Sequence, residues 1–320
     1  MKIVFYIFMV FWLGLICRCH HVDIDRESAL KTDLGPSNDL VAGRYEAYKK
    51  KPTHCRFMVH ADYRVLLGSF GPFSGQQVNT SSLVAMNFGK MVNDPSAGLQ
   101  HPQILDLDGD AAISESLVTI NGKTVAVCAV NAAVVWDLAA SIYVFEANIM
   151  KPDLIILSGM DGSQDRIGTW EHYARNLALG DYGYDRDGHR DGIKPQTNGT
   201  ALIPIQPGGP AEVRMTWDGN AILAATASIV REGLPGFDLQ TSPNENPGTY
   251  LCNNVSYAVL TALNGGKLFL AGGKMMIAAD GLKDTHAGFF HYPWESPQDD
   301  RTVRLWTRVL AAAIGADLGF

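Results

Sequence analysis

The chain has 320 residues, 47% of them hydrophobic and 18% charged, a balance that fills a core for one large domain or two modest ones and excludes a disordered protein. Its formal net charge of −7 argues against nucleic acid as the main partner, because phosphate binding needs a cationic field that the short run Lys49-Lys50-Lys51 does not supply.

Lys2 precedes an apolar run from Ile3 to Ile16, broken only by Gly14. This is the layout of a secretory signal peptide, and it falls short of the ~20 residues that cross a bilayer. Residues 1–20 are therefore expected to be a signal peptide, with the product exported to a periplasm or the medium and no stable membrane anchor. Ile16 before Cys17 and Arg18 before Cys19 are not the small residue of a lipoprotein signal. Residues 21–60 are polar with no sustained period and read as an extension ahead of a domain spanning 61–320. Cys55, Cys128 and Cys252 remain in the mature chain. An odd count in an oxidising compartment suggests one pair and one free thiol; Cys55 with Cys128 is one solution, and buried free thiols are another.

From Arg64 the pattern changes to short apolar runs separated by longer segments. Val65-Leu66-Leu67 leads through Gly68 into Phe70-Gly71-Pro72-Phe73; Thr124 to Val130 and Leu154 to Leu157, closed by Gly159, follow. Leu268-Phe269-Leu270 and Phe289-Phe290 are further strand candidates. Ala221 to Glu232 places Ile222, Ala225 and Ile229 at helical spacing, and Val303 to Ile314 does so through Trp306 and Leu310. Strands alternating with helices predict an α/β layer architecture with a largely parallel or mixed sheet. Residues 181–210, rich in Gly, Asp and Pro, predict a long surface excursion.

Cys252 follows Pro247-Gly248-Thr249-Tyr250-Leu251 and opens a helix-like run carrying Val255, Val259, Ala262 and Leu263. A thiol at a helix N-terminus lies among unpaired N–H groups and the positive end of the dipole, which favours thiolate and can hold an oxyanion. From the spacing alone, a structural thiol buried at a strand–helix junction is the favoured reading. His291 ends an apolar strand before Pro293, at the sheet edge where sites assemble; His286 is a competing base. Glu171, beyond the strand that Gly159 closes, supplies a carboxylate to orient an imidazole.

Four blocks in order resemble the pyroglutamyl peptidase I (pyrrolidone-carboxyl peptidase) family. Gly68-Ser69-Phe70-Gly71-Pro72-Phe73 with Val78-Asn79 is similar to its N-terminal signature, and the strand at Asp153–Gly159 with Glu171, Ala174 and Asn176 to its glutamate block. Pro247 to Asn253 is similar to the segment around its nucleophile, and Phe289-Phe290-His291-Tyr292-Pro293 to its histidine segment. The resemblance spans roughly 62 to 294. It implies a three-layer αβα fold with a twisted, mixed but largely parallel sheet of the phosphorylase/hydrolase-like kind, acting as a cysteine-type omega peptidase without cofactor or metal. It further implies Cys252 as nucleophile, His291 as general base and acid, and Glu171 as the orienting residue. Phe70, Phe73, Asn79 and Tyr250 would contact the substrate, a peptide with N-terminal pyroglutamate; oligomerisation stays open. Aromatic walls suit the flat faces of a lactam ring. The chain departs from the family pattern at Asp181, where an arginine is usual, and at Met160, where Gly-Gln is common after the strand. A related thiol amidase of altered specificity, or an inactive binding protein of the same fold, are the alternatives.

Asp106 to Asp110 and Asp185 to Gly192 have calcium-loop composition, but neither puts glycine at position six or glutamate at twelve, so both read as solvated turns. Asn79, Asn198 and Asn254 each begin a glycosylation sequon.

Overall fold

The computed structural model describes residues 37–56, 60–72, 78–101, 111–161, 165–179, 183–184, 190–191, 202–242 and 250–320. The expected signal segment, Phe73, Asp181, Asn198 and the acidic turn at 106–110 lie outside these residues.

Seven strands among the described residues form the central sheet: β1 (Tyr63–Phe70), β2 (Ala112–Ile120), β3 (Lys123–Ala132), β4 (Leu154–Met160), β5 (Ile167–Trp170), β6 (Asp238–Thr241) and β7 (His286–Tyr292). Their order is β6-β5-β7-β4-β1-β3-β2. β3, β1, β4 and β7 run parallel as neighbours. β2 and β5 each pair antiparallel to this block, and β6 runs parallel to β5. The sheet is thus mixed and largely parallel, as expected. Every residue of β4 is buried, the condition that makes a central parallel strand read as an unbroken apolar run.

Side chains alternate between two cores. Leu66, Cys128, Val130, Ile155, Leu157, Ala287 and Phe289 face one layer of helices: α1 (Ser37–Lys49), α3 (Leu138–Met150) and α5 (Leu251–Leu263). Leu67, Val127, Ala129, Leu154, Ile156, Phe290 and Tyr292 face the other: α2 (Thr80–Asn93), α4 (Gly219–Gly233) and α6 (Asp300–Leu318). The period of two along each strand makes both faces apolar, so each must be covered by helices. The helix boundaries are written in the caps. Asp218 and Asp299 accept N–H groups from the first turns of α4 and α6, and α6 ends at Gly319, in the left-handed region. Leu268–Leu270 is a strand, as expected, but in a hairpin with Met275–Ile277 outside the central sheet.

The compact unit begins at Ser37 and not at residue 61. Val41, Tyr45 and Tyr48 of α1 are buried in the α3/α5 core. The segment after α1 is fixed by the buried carboxylate of Glu146 on α3. Its Oε1 accepts the Tyr48 hydroxyl at 2.5 Å and meets His54 Nδ1 at 2.6 Å, while Oε2 accepts the Cys55 N–H at 2.8 Å. Burial, reinforced by Glu146, pushes the Tyr48 phenol far above its ordinary range.

Cys55 and Cys128 are joined by a disulfide with Cα atoms 5.8 Å apart, across a sequence separation of 73. Cys252 is the free cysteine of the described residues. Closing a loop of this length removes unfolded-chain entropy worth about 4 kcal/mol in the chain-entropy model. Replacing both Cys55→Ser and Cys128→Ser is therefore expected to lower unfolding stability by up to about that amount, read from urea titration. A denaturation midpoint unchanged from wild type would contradict this.

Candidate active site

The carboxyl ends of the parallel strands form one edge of the sheet, where loops and helix termini gather. His291 lies at that end of β7, in register with Gly159 of β4. It shares the parity of Ala287 and Phe289 and so belongs to the α3/α5 face. His286 pairs with Leu154 at the opposite end of the same strands and bonds Asp317 Oδ2 of α6 through Nδ1 at 2.9 Å. Of the two histidines, only His291 is at the edge where Cys252 sits.

Glu171 follows β5, which pairs antiparallel to β7 at Trp170 and Phe290. Its own N–H donates to Phe289 O at 2.9 Å, and Trp217 Nε1 donates to its carbonyl at 3.0 Å. Trp217 reaches this place because residue 288 is glycine: a Cβ there would lie 2.0 Å from the indole. With the backbone pinned, Glu171 Oε1 lies 2.7 Å from His291 Nδ1. A carboxylate only accepts, so Nδ1 carries the proton and Nε2 is left for the other partner.

That partner is Cys252. Tyr250 enters α5 with extended backbone and makes no side-chain cap, so the first-turn N–H groups and the positive dipole end beside Cys252 are not taken up by a cap. A Cβ on Gly159 would sit 2.9 Å from Cys252 Sγ and 3.1 Å from Phe289 Cζ. The sulfur thus rests directly on the β4 backbone, next to His291. Burial disfavours the charged imidazole, but the neighbouring Cys252 sulfur and the Glu171 carboxylate outweigh it and hold His291 well above its ordinary value of 6.5.

The cleft is lined by Glu171, Tyr173, Met215, Cys252, Phe289 and His291 among others. Phe289 lies 4.7 Å from the His291 ring and 6.4 Å from Phe70, so Phe70 belongs to the aromatic wall behind the sulfur. Tyr250 stands at the mouth of α5, edge-on to Trp136 at 5.7 Å. Phe73 is outside the described residues. Asn79 differs from expectation. Its Oδ1 accepts from Ser81 N–H and Oγ–H at 3.0 and 2.8 Å, and its Nδ2 donates to Gly71 O at 3.3 Å. At 1% exposure it is buried as the cap of α2 and the tie that holds the loop after β1. Asn79 and Asn254 are both buried, which removes them as glycosylation acceptors in the folded chain.

Asn253 emerges only from the structure. Its Oδ1 accepts Arg175 N–H at 2.7 Å, and its Nδ2 donates to Arg175 O and Leu177 O at 2.9 and 2.7 Å. It therefore acts as an extra strand edge that ties the segment after Glu171 to the helix of Cys252. Its place directly after the cysteine was the available signal.

No family model matches the chain. The pyrrolidone-carboxylate peptidase of Escherichia fergusonii is 24% identical to it over 233 residues, covering 72% of this chain and 78% of that protein. The solved structure of Bacillus amyloliquefaciens pyroglutamyl peptidase I matches with a TM-score of 0.51 at 19% identity, over 81% of this chain and 98% of that one. Pyrrolidone carboxyl peptidase from the hyperthermophile Pyrococcus furiosus matches with 0.51 and 19%, over 80% and 98%. The fold is that of these peptidases, and the chain is similar to them over most of its length.

Two outcomes follow from this geometry. Gly159→Ala should displace the sulfur by an ångström or so and slow alkylation of Cys252 by about 10²-fold; an unchanged rate by peptide-mapped iodoacetamide labelling would contradict the contact. The raised folded-state value of His291 means that its protonation stabilises the fold fully below 6.5 and that this contribution fades as pH rises through the elevated value. Cys252→Ala removes the strongest raising influence, so the imidazole should titrate at lower pH, as followed by NMR of its carbon-bound protons.

Proposed function

We propose that this chain is a cysteine-type omega peptidase that hydrolyses an N-terminal pyroglutamyl residue from peptides, with Cys252 as nucleophile, His291 as general base and acid, and Glu171 as its orienting residue. The observation that carries the proposal is the convergence of the three side chains on one cleft: Glu171 Oε1 at 2.7 Å from His291 Nδ1, and Cys252 Sγ against Gly159, the register partner of His291.

The chemistry follows from the placement. His291 Nε2 takes the thiol proton, and the imidazolium is stabilised by the Glu171 carboxylate. The Cys252 thiolate attacks the carbonyl carbon that links the pyroglutamyl group to the next residue. The oxyanion that forms is held by N–H groups of the first turn of α5. His291 then protonates the leaving amine, the C–N bond breaks, and a thioester remains. Water, deprotonated by His291, attacks that thioester; free pyroglutamate leaves and the thiol is regenerated. Phe70 and Phe289 offer the apolar surface that a flat, uncharged lactam requires, with Phe73 and Tyr250 as further contacts. No cofactor enters this scheme.

Export is part of the same proposal. The apolar run from Ile3 to Ile16 supports it, as does the Cys55–Cys128 disulfide, which belongs to an oxidising compartment. No helix of the described residues is long and apolar enough to cross a membrane.

Purified protein should release a fluorogenic amine from its pyroglutamyl amide. Cys252→Ala should lose on the order of 10⁴-fold or more in kcat, and Glu171→Gln on the order of 10²- to 10⁴-fold, since triad members act as a unit. A wild type that turns over unsubstituted aminoacyl amides but not the pyroglutamyl amide would reject the specificity, and full activity of Cys252→Ala would reject the nucleophile.

A further inference from the structure

On the flank of α5 a second polar cluster is built around Asp137, in the turn between β3 and α3. Asp137 has φ 64° and ψ −35°, and Leu138 N–H bonds to Trp136 O at 2.7 Å across it. This is a γ-turn of the positive-φ kind, rare and strained for a residue with a Cβ. Although Asp137 stands at the N-cap position of α3, its side chain does not cap that helix. Its Oδ1 accepts from Asn254 Nδ2 at 3.2 Å and its Oδ2 accepts Ala271 N–H at 2.8 Å. The Asp137 N–H lies 3.5 Å from Asn254 Oδ1. Ala271 also has positive φ, 49°. Asp137 is 5% exposed and Asn254 is fully buried.

Two strained non-glycine residues therefore meet at one buried carboxylate, which also holds the Asn254 amide two positions beyond Cys252. Trp136, the residue before Asp137, packs edge-on against Tyr250, two positions ahead of Cys252. The β3–α3 turn thus holds α5 on both sides of the sulfur. Filling this volume would need only an apolar pair. A buried carboxylate drawn away from its own helix, on a strained backbone, fixes a direction as well, because its hydrogen bonds fail when the helix turns.

We infer that Asp137 and Asn254 are positioning residues that set the rotation of α5, and with it the approach of Cys252 Sγ to Gly159 and His291; this rests on Cys252 being the nucleophile. A rotation of about 15° about a helix axis carries a side-chain atom by roughly 1 Å, and a misplacement of that size costs about 10²-fold in rate.

The test is a reciprocal exchange. Asn254→Asp sets two acceptors against each other. Adding Asp137→Asn restores the bonds to residue 254 and Ala271: the new amide donates to residue 254, accepts from Ala271 N–H, and asparagine tolerates positive φ. The readouts are the peptide-mapped alkylation rate of Cys252, kcat and KM on the pyroglutamyl amide, and the urea midpoint. Asn254→Asp should lower alkylation and kcat by about 10²-fold with KM within about 2-fold, and the double exchange should bring both rates back to within about 3-fold of wild type. Wild-type alkylation by folded Asn254→Asp, or a double exchange that restores the midpoint but not the rates, overturns the inference. If Asn254→Asp does not fold, Asp137→Ala against Asp137→Asn carries the comparison: the alanine variant should be slow and the asparagine variant should rescue it, and equal rates overturn the inference. Alkylation needs no peptide substrate, so absent pyroglutamyl turnover with intact alkylation differences would reject the substrate and leave the positioning role standing.

Discussion

The site depends on the bare backbone at Gly159. There the central sheet and the helix of Cys252 come within one atom's reach, since a Cβ at residue 159 would lie only 2.9 Å from the sulfur. The parallel register of β4 and β7 sets His291 opposite the same glycine. One missing side chain therefore brings the thiol and the imidazole to a common point, and neither residue has to leave regular secondary structure. Placement on a strand end and a helix start is more exact than placement on loops, because the backbone dihedrals there are held by ladder and helix hydrogen bonds.

The electrostatics follow from the same crowding. An isolated buried imidazolium would be expelled by desolvation, which is the strongest single influence on His291. Its protonated form is favoured instead by two partners from different elements, Cys252 of α5 and Glu171 after β5. Removing either partner leaves the remaining charges buried and poorly compensated, a larger loss than the pair itself contributes. Stability and chemistry at this edge are thereby coupled. The Glu171 backbone is tied to Phe289 and Trp217 and the Asn253 amide to Arg175 and Leu177, bonds that keep the two partners from drifting independently.

Strands β1, β3, β4 and β7 were legible because doubly buried parallel strands appear as uninterrupted apolar runs, and α4 and α6 because each shows one apolar face. Helix α3 was not legible, for the opposite reason. From Leu138 to Met150 it is apolar almost all round and buried on nearly every side, so no period survives. Helix α1 was missed because its buried positions, Val41, Arg44, Tyr45 and Tyr48, have helical spacing but only one aliphatic member. Tyrosines and an arginine there read as a polar extension until Tyr48 is seen to donate to the buried Glu146. At the site, Cys252, His291 and Glu171 could be picked out from local context and block order. The exclusion of His286 could not, because it needs the strand register that sends the two histidines to opposite ends of β7. Asn79 misled for a related reason: a cap residue and a substrate contact have the same identity in sequence, and only the spent hydrogen bonds separate them.

The N-terminal arm bears on the site through cysteine selection. Three cysteines among the described residues allow three pairings, and two of them would consume Cys252. The fold accommodates the third, because Glu146 receives Tyr48, His54 and the N–H of Cys55 itself and so holds Cys55 beside Cys128 on β3. Both of those sulfurs end fully buried, whereas Cys252 is only half-buried. Thiol–disulfide exchange needs a thiolate with access to a disulfide sulfur, and burying the bridge denies Cys252 that access. A reactive thiol can therefore persist beside a structural disulfide in one chain, which is the condition a cysteine hydrolase must meet wherever disulfides form.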